Sequence, residues 1–368
     1  MAGRITIQDI ADSLGISRNT VSKAINNAPG LAETTREKIL QRAAEMGYKQ
    51  FSYINQIAQA QRSQEPGADY GPDGDTGNAN AQTKEIAFFS TTFLGGSHFA
   101  IAMLDQFQLE LSRRGYSLTM HRISPQELAQ RKLPITLQPS RTSGIICAEL
   151  FDADYVEMLS ALGLPLVLAD SPALDGSRRI QADRLMMDNT DCILSFLRRM
   201  VEGGKREFGF IGNATHCHSF FERYLAFRMG MTLFGLPIRE EFCLTETYQK
   251  KEYPTTAEYQ SYLQEQIHKL EHLPDVFLCS NDFVAMDAIH AMRRQGLSVP
   301  EDVLVCGFDD SPESRFFTPS LTTMHINSQD MGLCAVDLLM SRMKNPTLAW
   351  RTVYVSTEVV YRESAPLG

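Results

Sequence analysis

The sequence predicts an α/β protein in which an N-terminal all-α helix-turn-helix head is joined to a core of two doubly wound α/β subdomains. Three observations lead to that reading. The 368 residues exceed what a single core usually supports, so two or three domains are expected. Short amphipathic stretches bounded by glycine and proline fill the N-terminal region, the punctuation of small helices. From Glu85 onward, short apolar runs alternate with helical stretches, and the alternation occurs twice, which implies parallel sheets covered on both faces.

In chain order, Thr6 caps a helix whose apolar residues Ile7, Ile10, Ala11 and Leu14 fall at helical spacing, and Gly15 stops it. Ser17 caps a second helix with Val21, Ala24 and Ile25 on its inner face. Pro29-Gly30 breaks the chain before a third helix over about 34–46, with Ile39, Leu40 and Ala43 inward. Two short helices across a tight glycine turn make a helix-turn-helix, although the periodicity by itself also fits a generic helical bundle. Residues 52–61 have the pattern of one more amphipathic helix, which completes a head of residues 1–62. Residues 63–83 then turn to Gly, Pro, Asp, Asn and Gln, the composition of a flexible linker.

The core is expected over 84–368. Strand-like Ile86 to Phe89 precedes a helix near 98–114, Gly144 to Cys147 precedes one near 153–162, and Leu166 to Ala169 follows. Phe208 to Ile211 precedes a helix near 219–234, Val276 to Cys279 precedes one near 282–295, and Val303 to Cys306 follows. Subdomain one is placed at about 84–188 with 326–351, and subdomain two at about 189–325 with 352–368. Such sheets bind ligands at the carboxyl ends of their strands. The pocket candidates are therefore Ser90 to Phe99, Asp170-Ser171, Asn213 to Arg223, Ser280 to Asp282 and Gly307 to Asp310.

Charge divides unevenly. Residues 1–62 hold eight basic against five acidic side chains, a net of +3, so the rest of a chain of net charge −9 carries −12. A small phosphate-contacting head on an acidic body fits this split. No run approaches 18 uninterrupted apolar residues, so no membrane partner is expected. The first 30 positions are polar and lack the apolar stretch of a signal peptide, so a cytoplasmic protein is expected. Seven cysteines stand singly, as buried small hydrophobes do and as a disulfide framework does not. His216-Cys217-His218 hints at metal, yet sequence neighbours rarely point at one ion, so neither a metal nor a cofactor is expected.

The run Thr6 to Ala11, then Gly15-Ile16-Ser17, Thr20 to Lys23, Asn26-Asn27, Thr35-Arg36-Glu37 and Gly47-Tyr48 resembles the N-terminal signature of the LacI/GalR repressor family. Gly296 to Val303, Gly307 to Asp310 and Leu321 to Thr323 resemble that family's effector core, itself similar to periplasmic sugar-binding proteins. The resemblance implies a periplasmic-binding-protein-like core, a homodimer, double-stranded operator DNA as one partner and a small-molecule effector, a carbohydrate, as the other.

The second helix of such a head enters the major groove, where Arg and Lys suit guanine and Asn suits adenine. Its outward residues are Arg18, Asn19, Ser22 and Lys23, and the resemblance puts Arg18, Asn19 and Lys23 at base-reading positions. Thr6, Ser17, Thr20, Asn26 and Thr35 suit either phosphate contact or helix capping. The family's hinge carries a basic-Pro-Asn step, an Ala-Arg pair and a Leu that wedges into the minor groove. This chain has Ile57 at the wedge position without the Pro, the Asn or the Ala-Arg pair, and Ile54 and Ile57 fit packing against the head nearly as well.

For the effector, Arg223 matches the family's ligand-binding arginine, whose rigid fork of donors suits two hydroxyls or a carboxylate. Asn281 and Asp309 match further polar positions. Phe99 and Tyr248 suit stacking on an apolar sugar face, with Asp170, His98 and His325 at the rim. The family's first-loop Asn-Pro-Phe-Phe is replaced by Gly96 to Phe99. The sequence contains no G-x-S-x-G, no P-loop and no G-x-G-x-x-G, so no enzyme is expected. The alternatives are a cytoplasmic sugar-binding receptor or an enzyme with an accessory helix-turn-helix.

Overall fold

The protein is described from a computed structural model that covers residues 7–25, 32, 35, 38–39, 42, 84–91, 98–173, 176–178, 180–245 and 256–367, without the side chains of 7, 9, 22, 25 and 98. The chain divides into two compact units, Met1–Ala79 and Asn80–Gly368. The division falls within the span 63–83 read as linker. That span and the expected helix at 52–61 lie outside the described residues.

In the first unit, helices Ile7–Leu14 and Arg18–Ile25 meet across Gly15. Gly15 has φ +64°, a left-handed conformation that glycine adopts without a Cβ penalty. The Ser17 hydroxyl accepts from the Thr20 amide at 3.1 Å and so caps the second helix. Ile10, Ala11, Val21, Ala24 and Ile39 are each buried, at positions that periodicity turns inward. Thr35, Lys38, Ile39 and Arg42 are helical, and the Arg42 Nε donates to the Ser13 hydroxyl at 3.3 Å.

The second unit holds two parallel sheets. The first contains β1 (Lys84–Ser90), β2 (Tyr116–Arg122), β3 (Thr142–Ala148), β4 (Leu166–Ala169), β5 (Asp183–Met187) and β11 (Thr352–Val355), in the order β11-β5-β4-β3-β1-β2. Alternate residues of β1 bury to opposite faces: Ile86 and Phe88 meet the helices His98–Arg113 and Ser328–Lys344, whereas Ala87 and Phe89 meet the helix Ala153–Ser160. Gly332 lets Ser328–Lys344 pack close to its partner helix, because a Cβ there would lie 2.6 Å from the Met103 carbonyl oxygen.

The second sheet contains β6 (Phe208–Ile211), β7 (Cys243–Leu244), β8 (Val276–Cys279) and β9 (Leu304–Cys306), in the order β7-β6-β8-β9. Phe227 of the helix His218–Leu233 packs on Phe210 of β6. β10 (Thr323–Ile326) and β12 (Thr357–Val360) form an antiparallel pair. The chain crosses between sheets at 188–190, at the end of β10, and between β11 and β12. Side chains tie these crossings together: the Thr357 hydroxyl donates to the Asp188 carbonyl at 2.7 Å, and the Asn327 amide to the Ser356 carbonyl at 2.9 Å.

One boundary differs from the sequence expectation, which gave all of 352–368 to the second subdomain. Thr352–Val355 instead pairs with β5 in the first sheet. The physical reason is Asp183, fully buried at the start of β5. It binds Arg342 through both carboxylate oxygens, at 2.8 and 3.1 Å, and Arg351 at 2.8 Å, which anchors the entry to β11.

Candidate functional site

Each parallel sheet reverses its strand order once, between β1 and β3 and between β6 and β8. Crevices form at the carboxyl ends of strands flanking such reversals. A cavity of about 180 Å³ opens there, with Thr91 and Glu149 contributed from the first sheet and Asn281 and Asp309 from the second. That volume accommodates on the order of ten water-sized groups. Glu149, Asp170 and Asp309 each directly follow a strand or a short extension of one, with φ of 54°, 61° and 117°. Non-glycine residues held in this region concentrate at binding sites, where surrounding structure enforces the strain.

Arg223, on the helix His218–Leu233, is 2% exposed and lines the cavity. Its Nε donates to Asn189 Oδ1 at 2.9 Å, and its Nη1 donates to the Ser280 carbonyl at 2.6 Å and faces Asp309 Oδ1 at 3.5 Å. The guanidinium stacks on the Phe308 ring, 3.5 Å from its centroid. Its Nη2 has no hydrogen-bond partner among the described residues. A fork clamped on one side and open on the other can grip a pair of hydroxyls without reorganising.

Acidic groups surround it. Burial pushes the Asp309 carboxyl above its ordinary range, against the pull of Arg223, and Asp282, Glu149 and Asp170 add to the rise. Asp282 is buried behind the cavity, where it accepts from Thr323 at 2.5 Å and from the Ser311 amide at 2.7 Å. It is a strut, and burial likewise raises its pKa. Asp170 Oδ1 accepts from the amides of Ser171 at 2.7 Å and Ser219 at 3.3 Å, which occupies the start of the helix that carries Arg223. Asn281 Oδ1 caps the helix Asp282–Arg293 through the Val284 amide at 2.9 Å, which leaves its amide nitrogen for a ligand.

Of the eight side chains expected in or around the effector site, Phe99, Asp170, Arg223, Asn281 and Asp309 line this one cavity. Tyr248 and the His98 side chain lie outside the described residues. His325, expected at the rim, instead binds Asp310 at 3.0 Å, in a cluster where Arg315 and Arg362 also pair with Asp310. The cavity wall also includes Glu149, Phe151 and Phe220, which the sequence reading did not single out. Phe220 lies within the candidate segment Asn213 to Arg223, and Glu149 stands two residues beyond Gly144 to Cys147, the second strand-like run. His216 meets the rings of Phe151 and Phe220, Cys217 is buried, and His218 pairs with Glu222 at 3.2 Å, so these three neighbours serve different contacts.

On the head, Arg18, Asn19 and Lys23 project exposed from the helix Arg18–Ile25. Ser17 and Thr20 share a hydroxyl contact at 2.7 Å beside the capping bond, so Ser17 acts as a cap here. Thr6, Asn26, Ile57 and the Ser22 side chain lie outside the described residues. Among the described residues no helix is long and apolar enough to cross a membrane.

Comparison with known proteins adds independent findings. Residues 6–50 match the model of the bacterial regulatory proteins of the lacI family, and residues 197–365 match that of the periplasmic binding protein-like domain. The HTH-type transcriptional repressor PurR of Actinobacillus pleuropneumoniae serotype 3 (strain JL03) is 26% identical over 364 residues, 98% of each chain. The probable HTH-type transcriptional repressor ExuR of Bacillus subtilis (strain 168) is 24% identical over 369 residues, again 98% of each. Among solved structures, a complex of the transcriptional regulator CelR with cellobiose superposes with a TM-score of 0.65 at 21% identity, over 98% of this chain and 100% of that one. The lac repressor dimer bound to operator and the anti-inducer ONPF gives 0.60 at 20% identity, over 99% and 100%.

Proposed function

This chain belongs to the LacI/GalR family of transcriptional regulators, and we propose that it is a cytoplasmic, homodimeric repressor whose grip on operator DNA is set by a sugar-like effector in the cleft around Arg223. The named relatives are repressors, not enzymes. The observation that carries the effector reading is Arg223 itself, a buried guanidinium with Nε and Nη1 held and its remaining nitrogen without a partner among the described residues. Asp309 and the amide of Asn281 stand on the same cavity wall as complementary groups for ring hydroxyls, and Phe99 supplies an apolar face. On the head, Arg18, Asn19 and Lys23 supply the base-reading chemistry.

The test is a thermal-shift screen of the full chain against mono- and disaccharides, nucleosides and amino acids, repeated with Arg223→Ala and Asp309→Ala. A ligand that binds only the folded state raises the midpoint. The expected hit is a sugar, and both variants abolish its shift while DNA binding by the free protein persists. A hit that still shifts either variant as it shifts the native chain places the effector elsewhere.

A further inference from the structure

Four side chains from three parts of the fold form one hydrogen-bonded chain behind the cleft. Tyr354, on the edge strand β11 of the first sheet, donates its hydroxyl to Glu222 Oε1 at 2.6 Å. The other carboxylate oxygen of Glu222 accepts from Asn189 Nδ2 at 2.8 Å. Asn189 lies in the first crossing between the sheets, and its Oδ1 accepts from Arg223 Nε at 2.9 Å. Glu222 and Arg223 are neighbours on the helix that packs on the second sheet.

The order of donors and acceptors permits one arrangement. Arg223 Nε can only donate, so Asn189 must present its amide oxygen to it. The Asn189 nitrogen then faces the Met187 carbonyl at 3.0 Å and Glu222, which must accept. An ionised carboxylate is the group that accepts from both sides. Although burial works against ionisation, the hydrogen bonds from His218, Tyr354 and Asn189 hold the Glu222 carboxyl below its usual range. A glutamine at 222 would turn an NH2 toward one of its donors. If that donor were Asn189, its amide would have to flip and set an NH2 against Arg223 Nε.

We infer that Glu222 is the residue that positions Arg223 in the cleft, and that through Tyr354 it makes this positioning depend on the edge strand of the first subdomain. Any rotation of the subdomains that draws β11 away from the helix His218–Leu233 takes the Tyr354 hydroxyl off Glu222 and loosens the amide that holds Arg223. Arg223 is thereby set for a ligand in one relative placement of the two sheets. The inference rests on the cleft being the effector site for its regulatory meaning, but the positioning itself is tested without any effector.

The experiment uses the full chain with 15N-labelled arginine and follows the Nε–H signals, that of Arg223 being assigned by its loss in Arg223→Lys. Arg342 serves as the internal control, since its Nε donates to Asp183 at 3.1 Å in a separate network. In Glu222→Gln and in Tyr354→Phe the Arg223 signal is expected to shift and to exchange with water about tenfold faster, the weight of one lost charge-assisted bond, with Arg342 unmoved. An Arg223 signal that ignores Tyr354→Phe overturns the link to β11, and one that ignores Glu222→Gln as well overturns the positioning role. Tyr354→Phe removes a single hydroxyl from a half-exposed ring, so its result decides even if Glu222→Gln is poorly folded. A shifted Arg223 signal in a protein that binds no sugar would uphold the positioning and discard the effector reading.

Discussion

The guanidinium carbon of Arg223 sits over the Phe308 ring, 3.5 Å from its centroid, with both side chains buried. Such stacking requires a planar, weakly hydrated cation, which lysine cannot supply. Arg223→Lys keeps the charge but strands acceptors on Asn189 and Ser280. The expected cost is about 1–3 kcal/mol of stability. Urea denaturation followed by the fluorescence of Trp350, the single tryptophan, measures it. A loss within error would mean that the stack and the bonds around it contribute little.

The same cleft should give the protein a pH signature. Asp309 is held above its ordinary value by burial, so the folded state binds a proton that the unfolded chain releases. Stability contributed this way is present at low pH and is lost as pH rises from about 4 to about 8. Asp309→Asn, which stays neutral throughout, should therefore raise the melting midpoint more at pH 8 than at pH 5. Equal effects at both pH values would show that Asp309 is ionised throughout.

Asp183 has the opposite sign. Burial opposes its ionisation, but Arg342 and Arg351 hold its carboxyl below the usual range, so it stabilises the fold above the unfolded pKa and ceases to do so in acid. Asp183→Asn leaves the buried Arg342 without its counter-charge, a defect of about 3–5 kcal/mol. The solvent-exposed pairs of Glu110 with Arg113 and Arg114 give the reference, since water screens them and their removal costs far less. Chemical denaturation of both variants compares the two, and similar losses would mean that water relieves Arg342.

How much of this was legible in the sequence follows the chemistry of each segment. The strands flanked on both faces by helices, such as Leu166–Ala169 and Val276–Cys279, are continuous apolar runs and announce themselves. β11 reads Thr-Val-Tyr-Val on a sheet edge with two exposed positions, and β5 opens on Asp-Arg and keeps only Leu-Met-Met as its apolar part, so neither is the continuous apolar run that marks the other strands. What places both is the Asp183–Arg342–Arg351 network, which joins residues 159 and more positions apart and leaves no local trace. In the cleft, Arg223, Asn281 and Asp309 were visible because they sit at strand ends or in a segment whose pattern resembles a known family. Asn189 and Glu222 were not, because their meaning lies in which atom of each amide or carboxylate faces a donor.

The last expectation concerns the head. Arg18, Asn19 and Lys23 are exposed on a helix whose buried face, Val21 and Ala24, is fully used within the head. They are therefore free to meet DNA, and their roles can be separated. A side chain that reads a base edge contributes about 1–3 kcal/mol on the preferred sequence and little on random DNA. One that meets only phosphate weakens both alike and lowers the salt slope of binding by about one. Selection of preferred sites from a random duplex pool by the full chain supplies the operator, and titration of that site and of random DNA at several salt concentrations supplies the comparison. Arg18→Ala is expected to relax the preference at one base position with the salt slope nearly kept. Ser17→Ala, which removes the 3.1 Å cap, should instead destabilise the head by about 0.5–2 kcal/mol and weaken binding without altering which sequence is preferred. Equal losses on selected and random DNA for Arg18→Ala would make it a phosphate contact and leave base reading to Asn19 and Lys23.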